Sequence, residues 1–309
     1  MSILFISKAD SPTEWQQALA SLDPEIGFQV WPDSGKPEDI EVALVWKHPP
    51  GALLGLPNLK LIQSLGAGVD HIFMDPRLPK NVPIARLVDA ELTRQMVEYV
   101  VLAVLSRHRR LDLIRGAQLL RNWQVIPPVP ISCSRVGILG FGEIGRATGN
   151  ILVKLGFKVA SWTRTPHTVG AVTSYHGPEG FTSLLQTSDI LICLLPLTAK
   201  TRGLLNAEAF ATLPTDAYVI NVARGAHLIE QDLLAAIDNG HLSGAWLDVF
   251  DAEPLPSNHP FWAHPKIVVT PHLAGLTVAS SAASQVIHNL RLVRIGKTPQ
   301  NLVDPTVGY

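Results

Sequence analysis

The 309-residue sequence predicts an α/β protein of two doubly wound parallel-sheet domains with a cleft between them. Three observations predict this. Short apolar runs alternate with helix-spaced stretches along nearly the whole chain, as in a parallel sheet covered by helices. The alternation comes in two series, separated by a long helical stretch and a proline-rich connector, "IPPVPISCS", that cannot continue a helix. The composition, 47% apolar and 17% charged, suits compact domains with sizeable cores, and the length suits two of them.

In the first series "ILFIS", "VALVW" and "LIQSL" read as strands. Between the first two, "PTEWQQALASL" has helical spacing, with Ser11 as N-cap and Pro12 at the first helical position. A helix is expected from about Val97 to Trp123, before the connector. The second series starts at Arg135 with strands "RVGIL", "KVASW", "DILICL", "AYVIN", "GAWLDV" and "KIVVT". Its helices include "EQDLLAAIDNG", which Gly240 closes as a C-cap. A final helix runs from about Val278 to Ile295, followed by the polar tail "NLVDPTVGY". No internal repeat is visible. The expected division is residues 1–98 plus 283–309 for one domain and 99–282 for the other.

The totals exclude several function classes. A formal net charge of −1 gives no global field for nucleic acid or an anionic membrane. No apolar run approaches the roughly 20 residues of a membrane span. "MSILFISKAD" lacks a basic start and a small-residue cleavage site, so it reads as a strand and not a signal peptide. The two cysteines, Cys133 and Cys193, support neither a disulfide framework nor a zinc site, and a reducing cytoplasm is expected. No metal site is expected.

"VGILGFGEIG" places Gly140, Gly142 and Gly145 in G-x-G-x-x-G spacing between a strand and a helix, the context that a dinucleotide fingerprint requires. Gly140 permits the tight turn, Gly142 lets backbone approach a pyrophosphate, and Gly145 lets helix and strand pack closely. The pyrophosphate would rest on the helix N-terminus, where unpaired N–H groups and the dipole favour an anion. The bland alternative is a glycine-rich turn with no ligand. An NAD site places a carboxylate at the end of the next strand. "SWTRTPH" offers Thr163, Arg164 and Thr165 instead, and an arginine fork suits the oxygens of a 2′-phosphate. NADP(H) is therefore the preferred cofactor, with NAD(H) still possible, and the bland alternative is a solvated loop arginine.

Three later segments put polar residues at strand ends, where ligands of open α/β sheets bind. "YVINVARGAHL" carries Arg224, "LDVFDAEPLP" carries Asp248, Asp251 and Glu253, and "VVTPHLAG" carries His272. Arg224 can bind a carboxylate or polarise a carbonyl. His272 can shuttle a proton near neutral pH. Glu253, if it touches His272, favours the imidazolium and orients the ring. Taken singly, each residue has a structural reading, and spacing alone does not bring the three together.

These motifs, with "ALVWKHPPG", "SLGAGVDHI", "LLPLTAKTRGLLN" and "VDPTVGY", span nearly the whole chain. The chain resembles the D-isomer-specific 2-hydroxyacid dehydrogenases, and within them the glyoxylate/hydroxypyruvate reductase A type. The resemblance implies two Rossmann/flavodoxin-like domains, the substrate domain formed by both chain ends and the cofactor domain inserted between. It implies Arg224 as substrate-binding arginine, Glu253 as partner carboxylate and His272 as acid–base. Asp248 would hold the nicotinamide carboxamide. The backbone N–H groups of Ala67 and Gly68 would hold the substrate carboxylate, as a glycine-rich anion nest can. Trp46 would line the substrate pocket, with a core tryptophan as the structural alternative. The cofactor site would also include Phe141, Glu143, Ile144, Leu195, Pro196, Val222 and Ala223. Two positions depart from the family's common pattern. Many members have an acidic residue where Arg164 stands, and many have arginine where Glu143 stands, so Glu143 is expected to point away from the phosphates.

The reaction implied is reduction of a small 2-keto acid, glyoxylate or hydroxypyruvate, to the 2-hydroxy acid. A larger keto acid such as phenylpyruvate stays open, as does a nucleotide-responsive binding module on the same scaffold. Turnover with NADPH and glyoxylate separates enzyme from binding module. The apolar stretch "VEYVVLAVLSRHRRLDLIRGAQLLRNW" exceeds what one domain needs and points to a homodimer.

Overall fold

The computed structural model describes residues 2–166 and 170–309. The chain forms two compact units, one of residues up to Leu92 together with Leu276–Tyr309, the other Thr93–Gly275. Both boundaries fall a few residues before those expected from the sequence. The reason at the first is the helix Ala90–His108, whose Met96, Tyr99, Val100, Ala103 and Val104 pack into the core of the second unit.

The elements of the first unit, in order, are β1 (Ser2–Ile6), α1 (Pro12–Leu22), β2 (Gly27–Val30), β3 (Ile40–Val45), β4 (Leu61–Ser64), α2 (Asp70–Phe73) and β5 (Ile84–Ala85). The strands make a parallel sheet in the order β2-β1-β3-β4-β5. β1, β3 and β4 are buried at every position, which is why they read as largely apolar and not as alternating runs, with Glu41, Gln63 and Ser64 among the buried polar exceptions. Ser11 caps α1, accepting the Glu14 N–H at 3.4 Å.

The second unit holds α3 (Ala90–His108, begun just before the boundary), α4 (Leu111–Leu119), β6 (Arg135–Leu139), α5 (Glu143–Leu155), β7 (Lys158–Thr163), β8 (Thr173–His176) and α6 (Gly177–Gln186). β9 (Ile190–Cys193), α7 (Ala207–Thr212), β10 (Ala217–Asn221), α8 (Glu230–Asp238), β11 (Leu242–Leu247) and β12 (Ile267–Val269) complete it. Its seven strands pair in parallel in the order β12-β11-β10-β9-β6-β7-β8, with the reversal of order beside β6 that defines a doubly wound dinucleotide-binding sheet. The last helix, α9 (Ala279–Arg294), returns to the first unit and buries Ala279, Ala282, Ala283, Val286, Ile287 and Leu290 in the cluster that contains Trp15 and Leu19 of α1. Three alanines on that face allow close approach of the two helices. The tail is tied down by backbone bonds beside β5, Arg86 N–H to Asn301 C=O at 3.0 Å and Val303 N–H to Ile84 C=O at 2.8 Å.

Three expectations need correction. The helix expected from Val97 to Trp123 is two helices. Arg110 takes a left-handed backbone (φ 52°) after Arg107 and His108 in the last turn of α3, where cations favour the carbonyl end of a helix. The pattern hides the break because apolar residues resume with helical spacing at Leu111, directly after the polar run 106–110. The short strands β2, β5 and β8 were not foreseen; β2 is only half-buried and carries little apolar pattern. Gly240 exits α8 at φ 80° one residue beyond the C-cap Asn239.

Candidate active site

The glycine loop follows β6 at its carboxyl end. Gly140 has φ 93°, and a Cβ there would lie 2.7 Å from the Leu194 carbonyl oxygen. A Cβ on Gly145 would overlap the Gly140 carbonyl oxygen, whereas one on Gly142, the N-cap of α5, would meet nothing within 4 Å. The first and third glycines are therefore required by packing, and the second leaves an open approach to the first N–H groups of the helix. That open cradle fits a pyrophosphate. Phe141 is buried in the core and its ring fills the space beside Gly149; only its backbone faces the loop. Ile144 packs on the same core. Glu143 is exposed and pairs with Arg146 one turn on, so its charge is compensated at the helix entrance.

At the end of β7 the Thr163 hydroxyl donates to the Thr165 carbonyl at 2.7 Å, closing a small turn with Arg164 and Thr165 exposed. The quoted stretch ends at His167, which lies outside the described residues. After β9, Leu195 is buried and the Pro196 carbonyl accepts the Thr201 hydroxyl at 2.8 Å.

Beyond β10 the buried Asn221 clamps the next turn. Its Nδ2 donates to the Arg224 carbonyl at 2.9 Å, and its Oδ1 accepts the Ala223 N–H at 3.2 Å. Val222 and Ala223 are buried beside it. Arg224 is half-buried, and its Nη1 donates to the Ala223 carbonyl at 2.7 Å. The 3-10 turn Gly225–His227 follows. His227 is wholly buried, with Nδ1 3.1 Å from the Arg224 carbonyl and Nε2 3.3 Å from the Pro196 carbonyl. Burial alone pushes its pKa down, but the Cys193 sulfur and the two carbonyls outweigh that and hold it above the ordinary imidazole value.

Asp248, buried at the end of β11, organises the loop after β12. One carboxylate oxygen accepts the Thr270 hydroxyl at 2.6 Å and the Leu273 N–H at 2.9 Å; the other accepts the Ala274 N–H at 2.9 Å. Its carbonyl accepts the His272 N–H, also at 2.9 Å. Thr270 in turn contacts the Tyr99 hydroxyl, to which Trp246 Nε1 donates at 2.6 Å. Burial, reinforced by the Asp248 carboxylate, pushes the Tyr99 phenol up. Held this way, His272 adopts φ 53° and turns Nδ1 to Glu253 Oε2 at 2.9 Å. Glu253 Oε1 is fixed by the Phe250 N–H at 3.2 Å. With Nδ1–H donated to the carboxylate, Nε2 is the nitrogen left for a substrate.

Within the second unit the structure thus joins Glu253 to His272 and ties both to their loops. Asp248 serves as the anchor of the His272 loop. Trp46, Ala67 and Gly68 belong to the first unit. Trp46 follows β3, half-buried against the core around Phe5 and Leu44, with its ring 4.5 Å from that of His71. Ala67 and Gly68 lie half-buried in the turn after β4. The sequence did not single out Tyr99, Gly225, His227 or Thr270. Only Gly225 and His227, directly after Arg224 in "RGAH", carried a positional hint. Among the described residues no cluster of three or more histidine, cysteine or carboxylate side chains could hold a metal, and no helix is long and apolar enough to cross a membrane.

A family description, "D-isomer specific 2-hydroxyacid dehydrogenase, NAD binding domain", matches residues 101–274, the stretch from α3 through the Asp248-anchored loop. The chain belongs to the D-isomer-specific 2-hydroxyacid dehydrogenases. Among members of this family, the glyoxylate/hydroxypyruvate reductase A of Yersinia enterocolitica is 41% identical over 314 residues, with 100% of both chains covered. The crystal structure of a D-isomer-specific 2-hydroxyacid dehydrogenase from Xanthobacter autotrophicus in complex with NADPH and MES superposes with a TM-score of 0.96 at 40% identity, covering 100% of this chain and 99% of that one. The NADPH-dependent glyoxylate/hydroxypyruvate reductase of Sinorhizobium meliloti, in complex with NADP and sulfate, gives a TM-score of 0.93 at 33% identity over 100% and 99% of the two chains.

Proposed function

We propose that this 2-hydroxyacid dehydrogenase reduces glyoxylate and hydroxypyruvate to their 2-hydroxy acids with NADPH. The observation that carries the reading is the 2.9 Å Glu253–His272 pair on a loop held by Asp248, because it presents a histidine with one oriented nitrogen. Arg224 and the Ala67–Gly68 N–H groups bind the substrate carboxylate, and Trp46 lines the pocket around the remainder. Arg224 also stabilises the oxygen as charge develops on it, as an oxyanion donor does. His272 gives the Nε2 proton to the developing alkoxide, and Glu253 holds the ring in the orientation that allows it. The reduced nicotinamide supplies the hydride when bound.

Gly140, Gly142 and Gly145 with the N-terminus of α5 would take the pyrophosphate. Phe141, Glu143 and Ile144 contribute backbone there. Leu195, Pro196, Val222 and Ala223 would contribute the apolar and carbonyl rim along the strand ends, and Asp248 would hold the nicotinamide carboxamide. Arg164 with Thr165 favours NADP(H), since no carboxylate stands at the end of β7. The similarity to reductases whose structures hold NADPH or NADP supports the same choice.

We also assign a homodimer to this enzyme. α4 buries none of its residues, and Leu119, Leu120, Trp123 and Val125 are 80–97% exposed, a run of apolar side chains that a second copy would cover. Unpaired Cys133 and Cys193 suit the cytoplasm, where NADPH is supplied. Initial rates over glyoxylate, hydroxypyruvate, pyruvate and phenylpyruvate, with NADPH and NADH, test the activity. Reduction of none of them sinks it, and preference for phenylpyruvate replaces the substrate. Sedimentation of wild type and Trp123→Glu tests the dimer, which should dissociate in the variant.

A further inference from the structure

The Leu87 N–H and the Thr277 hydroxyl hold the Gly66 and Leu65 carbonyls at the start of the turn after β4, and the rest of the turn gathers on one hydroxyl. Ser64, fully buried, donates to the Gly68 carbonyl at 2.8 Å and accepts the Gly66 N–H at 3.2 Å. His71 Nε2 lies 3.3 Å from the same oxygen, and His71 Nδ1 accepts the Lys47 N–H at 3.2 Å. The protons are fixed by these partners. An amide N–H only donates, so Nδ1 is bare. The Ser64 hydroxyl proton goes to Gly68, so its oxygen can only accept from Nε2, which therefore carries hydrogen. His71 is a neutral Nε2–H ring.

The same ring packs tilted, at 59°, against Trp46, with the ring centroids 4.5 Å apart. A Cβ on Gly66 would press to 2.7 Å from that indole, so the turn, the indole and the imidazole pack as one body. Among the described residues no hydrogen bond engages the N–H of Ala67 or Gly68. Both ends of the 66–68 turn are tied inward, and its two central N–H groups are left for a ligand, as in an anion nest.

We infer that His71 and Ser64 are positioning residues for the substrate carboxylate, a relay from the Lys47 N–H through the imidazole and the hydroxyl to the Gly68 carbonyl that sets the Ala67–Gly68 N–H pair. The inference rests on the reading that this pair binds the keto-acid carboxylate. It makes the relay act on substrate affinity and leave the chemical step and the cofactor untouched, because neither residue touches the reacting atoms.

The test is steady-state kinetics of Ser64→Ala, His71→Leu and His71→Gln in the full chain, with binding of oxamate, a non-reducible carboxylate analogue, to the NADPH-loaded protein. A net hydrogen bond is worth about 0.5–1.5 kcal/mol, so KM for glyoxylate and Kd for oxamate should rise roughly 2–13-fold in Ser64→Ala and His71→Leu. The kcat and the NADPH KM should stay near wild type. His71→Gln keeps a donor at the Nε2 position and should restore most of the affinity. In wild type, the nitrogen-15 ring spectrum, assigned by difference against His71→Gln, should show a bare Nδ1 and a protonated Nε2. An Nδ1–H tautomer, or folded variants with unchanged KM and Kd, overturns the relay, as does a fall in kcat equal to the rise in KM. If no keto acid is turned over, the functional reading fails while the tautomer and oxamate arms still decide the relay. If Ser64→Ala does not fold, the two His71 variants and the wild-type spectrum decide it.

Discussion

A Cβ on Gly225 would overlap the carbonyl group of Phe250 and the amide nitrogen of Asp251. The turn that carries Arg224 therefore rests directly on the backbone that leads to Glu253. Gly225→Ala must push these segments apart. Overpacking of this kind costs about 1–3 kcal/mol, and misplacing a site residue by an ångström can cost on the order of 10²-fold in rate. The variant should melt lower and lose kcat/KM by about that factor, read by thermal denaturation and initial rates. Wild-type kinetics in a folded Gly225→Ala protein would mean that the contact relaxes without moving Arg224.

The Glu253–His272 pair makes a graded prediction. His272→Ala should reduce kcat by ~10²–10⁴-fold, the usual share of general acid–base catalysis, and leave NADPH affinity nearly intact, because the loop is held by Asp248 and not by the ring. Glu253→Gln keeps a neutral acceptor beside Nδ1 and should cost less. A His272→Ala enzyme within a few-fold of wild-type kcat removes the histidine from the reaction.

The glycine loop was legible because Gly140 and Gly145 answer steric demands set by local backbone, the turn and the packing, while Gly142 leaves the approach to the helix N-terminus open. Strand ends were legible from continuous apolar runs that stop at polar residues. The meeting of Glu253 with His272 was not, since it depends on how β11 and β12 pair and how Asp248 folds the loop between Thr270 and Ala274. The end of α3 was hidden because apolar residues resume with helical spacing at Leu111, directly after the polar run 106–110, and the left-handed backbone of Arg110 has no counterpart in the pattern. His227 carried no chemical signature of its own; its importance comes from carbonyls brought to it by Pro196 and by its own turn.

That histidine links stability to pH. Its folded pKa lies above the ordinary value of 6.5. A group raised in the folded state stabilises fully below its unfolded pKa and loses that contribution as pH rises through the folded value. Urea melts of wild type and His227→Gln should therefore differ most below about pH 6.5 and converge as pH rises above it. A gap independent of pH would show that the ring contributes by packing alone.

The turn after β7 separates the roles of its three residues. The Thr163 hydroxyl is committed to the Thr165 carbonyl, so a second bond to a 2′-phosphate falls to the exposed Thr165, with Arg164 supplying the charge. Arg164→Ala should weaken NADPH and leave NADH almost unaffected, since NADH presents no phosphate at that place. Hydrogen bonds to charged groups are worth about 1.5–3 kcal/mol, or roughly 10–150-fold in affinity. Arg164→Asp should repel the phosphate and move preference toward NADH. Thr165→Val should cost NADPH less than Arg164→Ala does, whereas Thr163→Val opens the turn and should weaken both cofactors. High salt should narrow the NADPH–NADH difference in wild type, because the guanidinium is exposed and screening acts on exposed pairs. KM and kcat for both cofactors in the four variants check this. Equal losses for the two cofactors in Arg164→Ala, or none, would make Arg164 a solvated loop residue and leave NADP preference without its proposed cause.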